Sequence, residues 1–359
     1  MPRPGRPSPR AGSSAGRRTG WPSGSSAERQ ARSGAPDAHP TATTRACVRA
    51  ATIDPVSTTP LDTIRASAAD LPAAVAAALA DPPPGEDGVL GVGDGWPTTS
   101  WGRAADPPLL LVHGVTSNAL IWWRIGPALA AAGYRVTAID MPGHGRQPRT
   151  DAWSTRFADT AQELAKFIRA AGLTGPEARE GAITAPALSV VGHSWGAMVT
   201  AHLPAAGLAP GRLVLIDPPV LTHARMVALT EQPTERTYDT LEAATTAVRL
   251  ANPEWTDGDI AAKARALTEF NPDLVLAVLR GNGDWDGGMA ALRHPNAAAA
   301  SAWLIRGEWS MGGFIPEAKV PKIAAQLGRD HVITIAGAPH SPQRTHPEAT
   351  VLALLRALA

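Results

Sequence analysis

Between residues 107 and 217, short aliphatic runs alternate with longer amphipathic stretches, and this rhythm constrains the fold more than any other feature of the chain. "PPLLLVHG", "YRVTAID", "ALSVVGHS" and "GRLVLID" are continuous apolar runs, as strands buried on both faces require. "IGPALAAAGY", "FADTAQELAKFIRAAGL" and "WGAMVTAHLPAAGL" lie between them and read as helices. Strand and helix in succession predict an α/β architecture, a mostly parallel central sheet flanked by helices. Upstream, "LDTIRASAADLPAAVAAALADPPPG" reads as a helix stopped near Ala80 by three prolines. "GVLGVGDGWPTTSWG" reads as two short strands around a Gly-Asp-Gly turn. Strands resume at "SAWLIRGE" and "HVITIAG", and the helix "PEATVLALLRALA" closes the chain.

The rhythm breaks between 219 and 300, where "TLEAATTAVRLA", "DGDIAAKARALTEF" and "PDLVLAVLRG" are helix-like with no convincing strand between them. A helical insertion after the sixth strand is expected to cap the carboxyl edge of the sheet, where open α/β sheets bind ligands. The predicted organisation is a disordered basic tail (1–55), a first part of the core (56–218), a helical cap (219–300) and a second part of the core (301–359). Residues 1–50 hold nine arginines against one aspartate and one glutamate, with almost no large aliphatic residue. Such a segment cannot bury enough apolar surface to offset the entropy of ordering. It lacks the aromatic interleaving and helical period of a nucleic-acid or membrane-binding arm, so neither partner is expected. No apolar signal region follows "GRRTGW", and no apolar run is long enough to span a bilayer. The lone cysteine, Cys47, cannot form an internal disulfide, so a cytoplasmic protein is expected.

"VVGHSWGAM" sets Ser194 between Gly192 and Gly196, after a predicted strand and before a predicted helix. That context defines a nucleophile elbow, whose glycines let backbones approach while the hydroxyl projects above the sheet. "LLLVHGVTSNALIWW" places a His-Gly loop beside it, where the backbone N–H of Val115 can join that of Trp195 to hold an oxyanion. His113 and His193 are expected to be structural.

With "DMPGHGRQP" and "GAPHSPQRTHPE", these motifs give the chain a resemblance to capped α/β-hydrolase-fold proteins over about residues 86–359. The resemblance implies His340 as the base, after the last strand and before the closing helix; His331, His346 and His144 are worse placed, His144 lying in a loop motif that is usually structural. It also exposes a departure. Most members carry the acid three residues beyond a glycine after the seventh strand; here that glycine is Gly307, and Ser310 stands where the aspartate would be. Serine cannot carry the charge that stabilises an imidazolium. Asp217, where a minority of the family has its acid, and Glu308, one residue after Gly307, are the two alternatives, Asp217 being preferred.

A serine hydrolase that cleaves an ester or lactone of a small, largely apolar molecule through an acyl-enzyme is the expected activity. Carbon-carbon hydrolysis of the meta-cleavage-product type and non-catalytic ligand binding are the alternatives. Epoxide hydrolase and dehalogenase chemistry are disfavoured, because both need an aspartate where Ser194 stands. No cofactor is called for, and no metal-ligand spacing is evident; Asp284 and Asp286 in "NGDWDGG" read as a solvated turn. Of Trp195 and Trp309 beside the site loops and Trp255 and Trp285 in the cap, some are expected to line an apolar or aromatic pocket. Oligomeric state is left open.

Overall fold

The computed structural model describes residues 61–91, 95–147, 153–174, 187–232 and 235–359. The expected tail, 1–55, lies outside the described residues. Residues 59–359 make one compact unit. Its strands are β1 (Asp62–Ile64), β2 (Glu86–Leu90), β3 (Trp96–Trp101), β4 (Pro108–Val112), β5 (Arg135–Ile139), β6 (Ser189–His193), β7 (Arg212–Ile216), β8 (Val220–Leu221), β9 (Trp285–Asp286), β10 (Ser301–Arg306) and β11 (Val332–Ile335). Nine form one sheet in the order β1-β11-β10-β7-β6-β4-β5-β3-β2. Neighbours from β1 to β5 run parallel, and β3 and β2 close one edge as antiparallel strands.

Every residue of β4 is buried. Leu110 and Val112 enter the core on one face, Leu109 and Leu111 the core on the other, which is why the strand reads as an unbroken apolar run rather than an alternating one. The helices are α1 (Ala73–Ala80), α2 (Ile125–Ala131), α3 (Phe157–Ala170), α4 (Trp195–Ala201), α5 (His223–Leu229), α6 (Leu241–Ala251), α7 (Asp257–Glu269), α8 (Pro272–Gly281), α9 (Val320–Leu327), α10 (Pro342–Thr345) and α11 (Pro347–Leu358). Residues of α1, α2 and α11 build the core on one face, residues of α3 and α4 that on the other. α4 stops at Ala201, well short of the helix expected through Leu208. Pro204 has no N–H to continue the ladder, and Leu203 N–H turns back to Thr200 O instead (3.1 Å).

Two differences from the sequence expectation concern short strands. β1 adds a strand at the sheet edge by pairing with β11, so the strand that precedes the helical insertion is the seventh in chain order, not the sixth. The insertion is not purely helical either: β8 and β9 pair antiparallel and tie its two ends together. Strands of two or three residues are too short for a period of two to register, and pairing alone creates them. Four helices of the insertion begin at side-chain caps. Thr222, Thr240, Thr256 and Asn271 each accept from a backbone N–H of the first turn, the preferred chemistry for that position.

The chain leaves β4 to build β5 on one side and returns to build β6 on the other. The carboxyl ends of β4 and β6 therefore flank a topological switch point, the crevice where open α/β sheets take ligands.

Candidate active site

Ser194 occupies the turn from β6 into α4 with φ +55° and ψ −120°. Left-handed φ in a residue with a Cβ costs about 1–3 kcal/mol and persists only where the surroundings over-determine it. Here Ser194 N–H donates to Ile216 O (2.9 Å), and Ser194 O accepts from the N–H of Ala197 (3.0 Å). The glycines are required sterically. A Cβ on Gly192 would stand 2.6 Å from Gly196 O, and one on Gly196 2.4 Å from His113 O. Gly196→Ala is accordingly expected to lower the unfolding free energy by about 1–3 kcal/mol, read as a lower urea midpoint at unchanged m-value.

The loop between β11 and α10 brings His340 to the elbow. Its Nδ1 lies 2.7 Å from Asp217 Oδ2 and its Nε2 lies 2.8 Å from Ser194 Oγ. A carboxylate only accepts, so Nδ1 carries the proton and Nε2 offers its lone pair to the serine hydroxyl. Asp217 is fully buried and also takes a left-handed φ, +41°. Two further donors fix its carboxylate: Gly307 N–H to Oδ1 (3.2 Å) and Phe314 N–H to Oδ2 (2.8 Å). On the near side, His193 Nε2–H donates to the His340 carbonyl (2.9 Å), while the Phe314 ring stacks on the His340 imidazole at 3.8 Å.

The "HGVTSN" loop is pinned through its carbonyls. Met141 N–H donates to His113 Nε2 (3.0 Å), which leaves the proton on Nδ1 to bond Gly114 O (2.7 Å). Ser117 N–H donates to the same oxygen (3.1 Å), and His144 Nε2 meets Val115 O at 2.6 Å. A trans peptide is planar, with C=O and N–H pointing opposite ways, so holding Gly114 O fixes the direction of the Val115 N–H. Trp195 is the first residue of α4, and its N–H lies ahead of the helix's own ladder.

Burial holds the imidazoles of His113 and His193 neutral, pushing both well below the ordinary histidine value near 6.5, and the neighbouring His144 and His340 push the same way. Below pH 6.5 the unfolded chain therefore binds more protons at these positions than the folded one. Stability is expected to be flat with respect to these groups above that pH and to fall below it. The expected loss is about 1.4 kcal/mol per pH unit for each ring, measurable as urea unfolding at pH 7.5 against 5.5.

The sequence profile of the alpha/beta hydrolase family matches residues 109–354. The chain belongs to that family. Among curated relatives of this α/β hydrolase is a pimeloyl-(acyl-carrier protein) methyl ester esterase of Sodalis glossinidius, 27% identical over 70% of the chain and 92% of the relative. A 93-residue stretch is 37% identical to Esterase PIR7B of Oryza sativa subsp. japonica, covering 26% of the chain and 31% of that esterase. The solved structure of an E-2-(acetamidomethylene)succinate hydrolase superposes with a TM-score of 0.63 at 19% identity, over 76% of the chain and 99% of that structure.

Within this α/β hydrolase the loop after β10 serves differently from the commoner family pattern. Ser310 is exposed, and the backbone N–H groups of Gly307 and Phe314 from this loop support Asp217. Glu308 is half-buried, and His340 Nδ1 is met by Asp217 instead. Gly307 has no room for a side chain, since a Cβ would lie 2.4 Å from Pro339 O; the β10 loop and the His340 loop touch backbone to backbone there. The tryptophans divide. Trp195 is buried against His144, Trp285 packs edge-on to Phe157 in the core, and Trp255 lies against the Arg344 guanidinium. Trp309 is exposed. Asp284 accepts from His223 N–H, and Asp286 from Gly288 and Ala290 N–H, so both carboxylates hold the turn around β9. Among the described residues no cluster of three or more His, Cys, Asp or Glu could hold a metal ion, and no helix is long and apolar enough to cross a membrane.

Proposed function

We propose that this α/β hydrolase is a serine hydrolase acting on an ester or lactone of a small, largely apolar molecule. The observation that carries the proposal is the unbroken hydrogen-bonded series from Ser194 Oγ through His340 to Asp217 Oδ2, with spacings of 2.8 and 2.7 Å. Ser194 Oγ attacks the carbonyl carbon as its proton passes to His340 Nε2. The resulting oxyanion lies between the Val115 and Trp195 N–H groups, and buried Asp217 stabilises the imidazolium. His340 then protonates the leaving oxygen, the acyl group stays on Ser194, and a water activated by the same imidazole releases the acid. Every step is supplied by side chains and amides of this chain, with no cofactor.

The ester preference is supported by the two esterases among the relatives. The aromatic ring of Phe314, stacked on the His340 imidazole, is the feature beside the base that suggests a largely apolar substrate. The helical insertion between β7 and β10 is the natural cap over this crevice, since Thr116 beside the elbow hydrogen-bonds Glu235 and Lys263 of that insertion.

A fluorophosphonate probe reports the serine directly. Stoichiometric labelling of the folded protein on Ser194, accompanied by turnover of p-nitrophenyl esters or simple lactones, is the expected result. Folded protein that resists the probe would overturn the proposal. Turnover confined to a vinylogous diketone would move the assignment to carbon-carbon hydrolysis.

A further inference from the structure

Lys263, on α7 of the helical insertion, reaches across to the loop after β4. Its side chain is largely buried, and its Nζ donates to Thr116 O (3.0 Å), Thr116 Oγ1 (3.0 Å) and Glu235 Oε2 (2.6 Å). Glu235 also accepts from the Thr116 hydroxyl (2.5 Å), so the ammonium is paired as well as hydrogen-bonded. Pairing is what a buried cation needs to stay charged.

The acceptor matters more than the ion pair. Thr116 C=O and Ser117 N–H belong to one planar peptide and point in opposite directions. Ser117 N–H donates to Gly114 O (3.1 Å), and Gly114 C=O shares its peptide with Val115 N–H. Two rigid peptide planes thus connect the Lys263 ammonium to the Val115 N–H. Each hydrogen bond along the series withdraws electron density from the next carbonyl and sharpens the next donor. The positive charge therefore acts in the sense that strengthens the Val115 N–H as an anion donor, and the contact fixes the direction of that N–H.

We infer that Lys263 is a positioning residue that sets the Val115 oxyanion donor through the Thr116–Ser117 and Gly114–Val115 peptides, so that docking of the helical insertion on the "HGVTSN" loop completes the site. The inference rests on the serine hydrolase assignment proposed above.

The test compares wild type, K263M and K263R in the full chain, with thermal unfolding as the check on folding. In K263M, kcat for a p-nitrophenyl ester is expected to fall about 10- to 100-fold, less than the loss of an oxyanion donor itself, while KM changes by less than about threefold. Affinity for an aryl trifluoromethyl ketone, which forms a tetrahedral oxyanion on the serine, should fall by the same factor as kcat/KM. K263R, which keeps a cationic donor, should recover most of the loss. K263M that folds and keeps wild-type affinity for the ketone overturns the inference, as does a KM effect without a kcat effect. If K263M does not fold, K263Q, which keeps an uncharged donor, is measured in its place with the same expected pattern at smaller amplitude. An amide proton measurement separates this inference from the serine assignment. The Ser117 and Val115 resonances of the ¹⁵N-labelled protein are expected to move upfield in K263M or K263Q, whether or not any ester is turned over. Unmoved resonances overturn the relay alone, whereas ester turnover that survives Ser194→Ala overturns the assignment alone.

Discussion

Ester turnover by Ser194→Ala is expected to fall by about 10⁵- to 10⁶-fold, the scale on which serine hydrolases of other folds respond to loss of the nucleophile. The expectation follows from how little else at the elbow could substitute. Ser194 Oγ is the hydroxyl that His340 Nε2 faces, and alanine leaves that lone pair with no proton to take. The fold should tolerate the change. The strained backbone at 194 is held by main-chain bonds to Ile216 and Ala197 and by the glycines on either side, none of which uses the hydroxyl. The residual rate would come from the oxyanion donors and from substrate binding, which by themselves leave about 10³-fold over water. A steady-state assay with a p-nitrophenyl ester on protein of wild-type Tm is the measurement. A loss under tenfold would mean that Ser194 is not the nucleophile.

Asp217→Asn is the second large effect, an expected fall in kcat of about 10⁴-fold. The carboxylate accepts three hydrogen bonds, from His340 Nδ1, Gly307 N–H and Phe314 N–H. Asparagine has one acceptor oxygen: at the Oδ1 position it keeps Gly307 N–H and turns its NH₂ on both Phe314 N–H and His340 Nδ1, and at the Oδ2 position it keeps Phe314 and His340 but turns its NH₂ on Gly307 N–H. In the first arrangement the imidazole moves its proton to Nε2, the nitrogen that must accept from Ser194; in both, the negative charge that stabilises the imidazolium is gone. Glu308→Gln is the matched control and should stay within about threefold of wild type, because the His340 Nδ1 proton goes to Asp217. A wild-type rate in Asp217→Asn together with a collapse in Glu308→Gln would exchange the two roles. Because Asp217 is fully buried, circular dichroism and Tm accompany the kinetics.

The expectations that held and those that failed differ in the range of the interaction that decides them. Alternating aliphatic and amphipathic segments were legible because a buried parallel strand must be apolar on both faces, and β4 to β7 obey that locally. The elbow was legible because a tight strand-to-helix turn forces small residues at fixed spacing around Ser194, within five positions of the chain. β1 and the β8–β9 pair were not, since two or three residues carry no period and exist only through partners far along the chain. Which tryptophans meet solvent and which the core was not legible for the same reason: only packing decides it, and it leaves Trp309 exposed and Trp285 buried.

The site divides along the same line. By itself the sequence determined an α/β hydrolase with a serine poised at an elbow and a histidine after the last strand, because each is dictated by its immediate neighbours. The sequence preferred Asp217 to Glu308 only because Ser310 empties the usual acid position; the contact with His340 itself joins the ends of β7 and β11, which the folded sheet sets on either side of β10. The tertiary structure brought His340 to Asp217, turned the backbone N–H groups of the Gly307 loop into that carboxylate's support, and laid Lys263 on Thr116. All three are contacts between segments separated by ninety or more positions, where no local periodicity reaches.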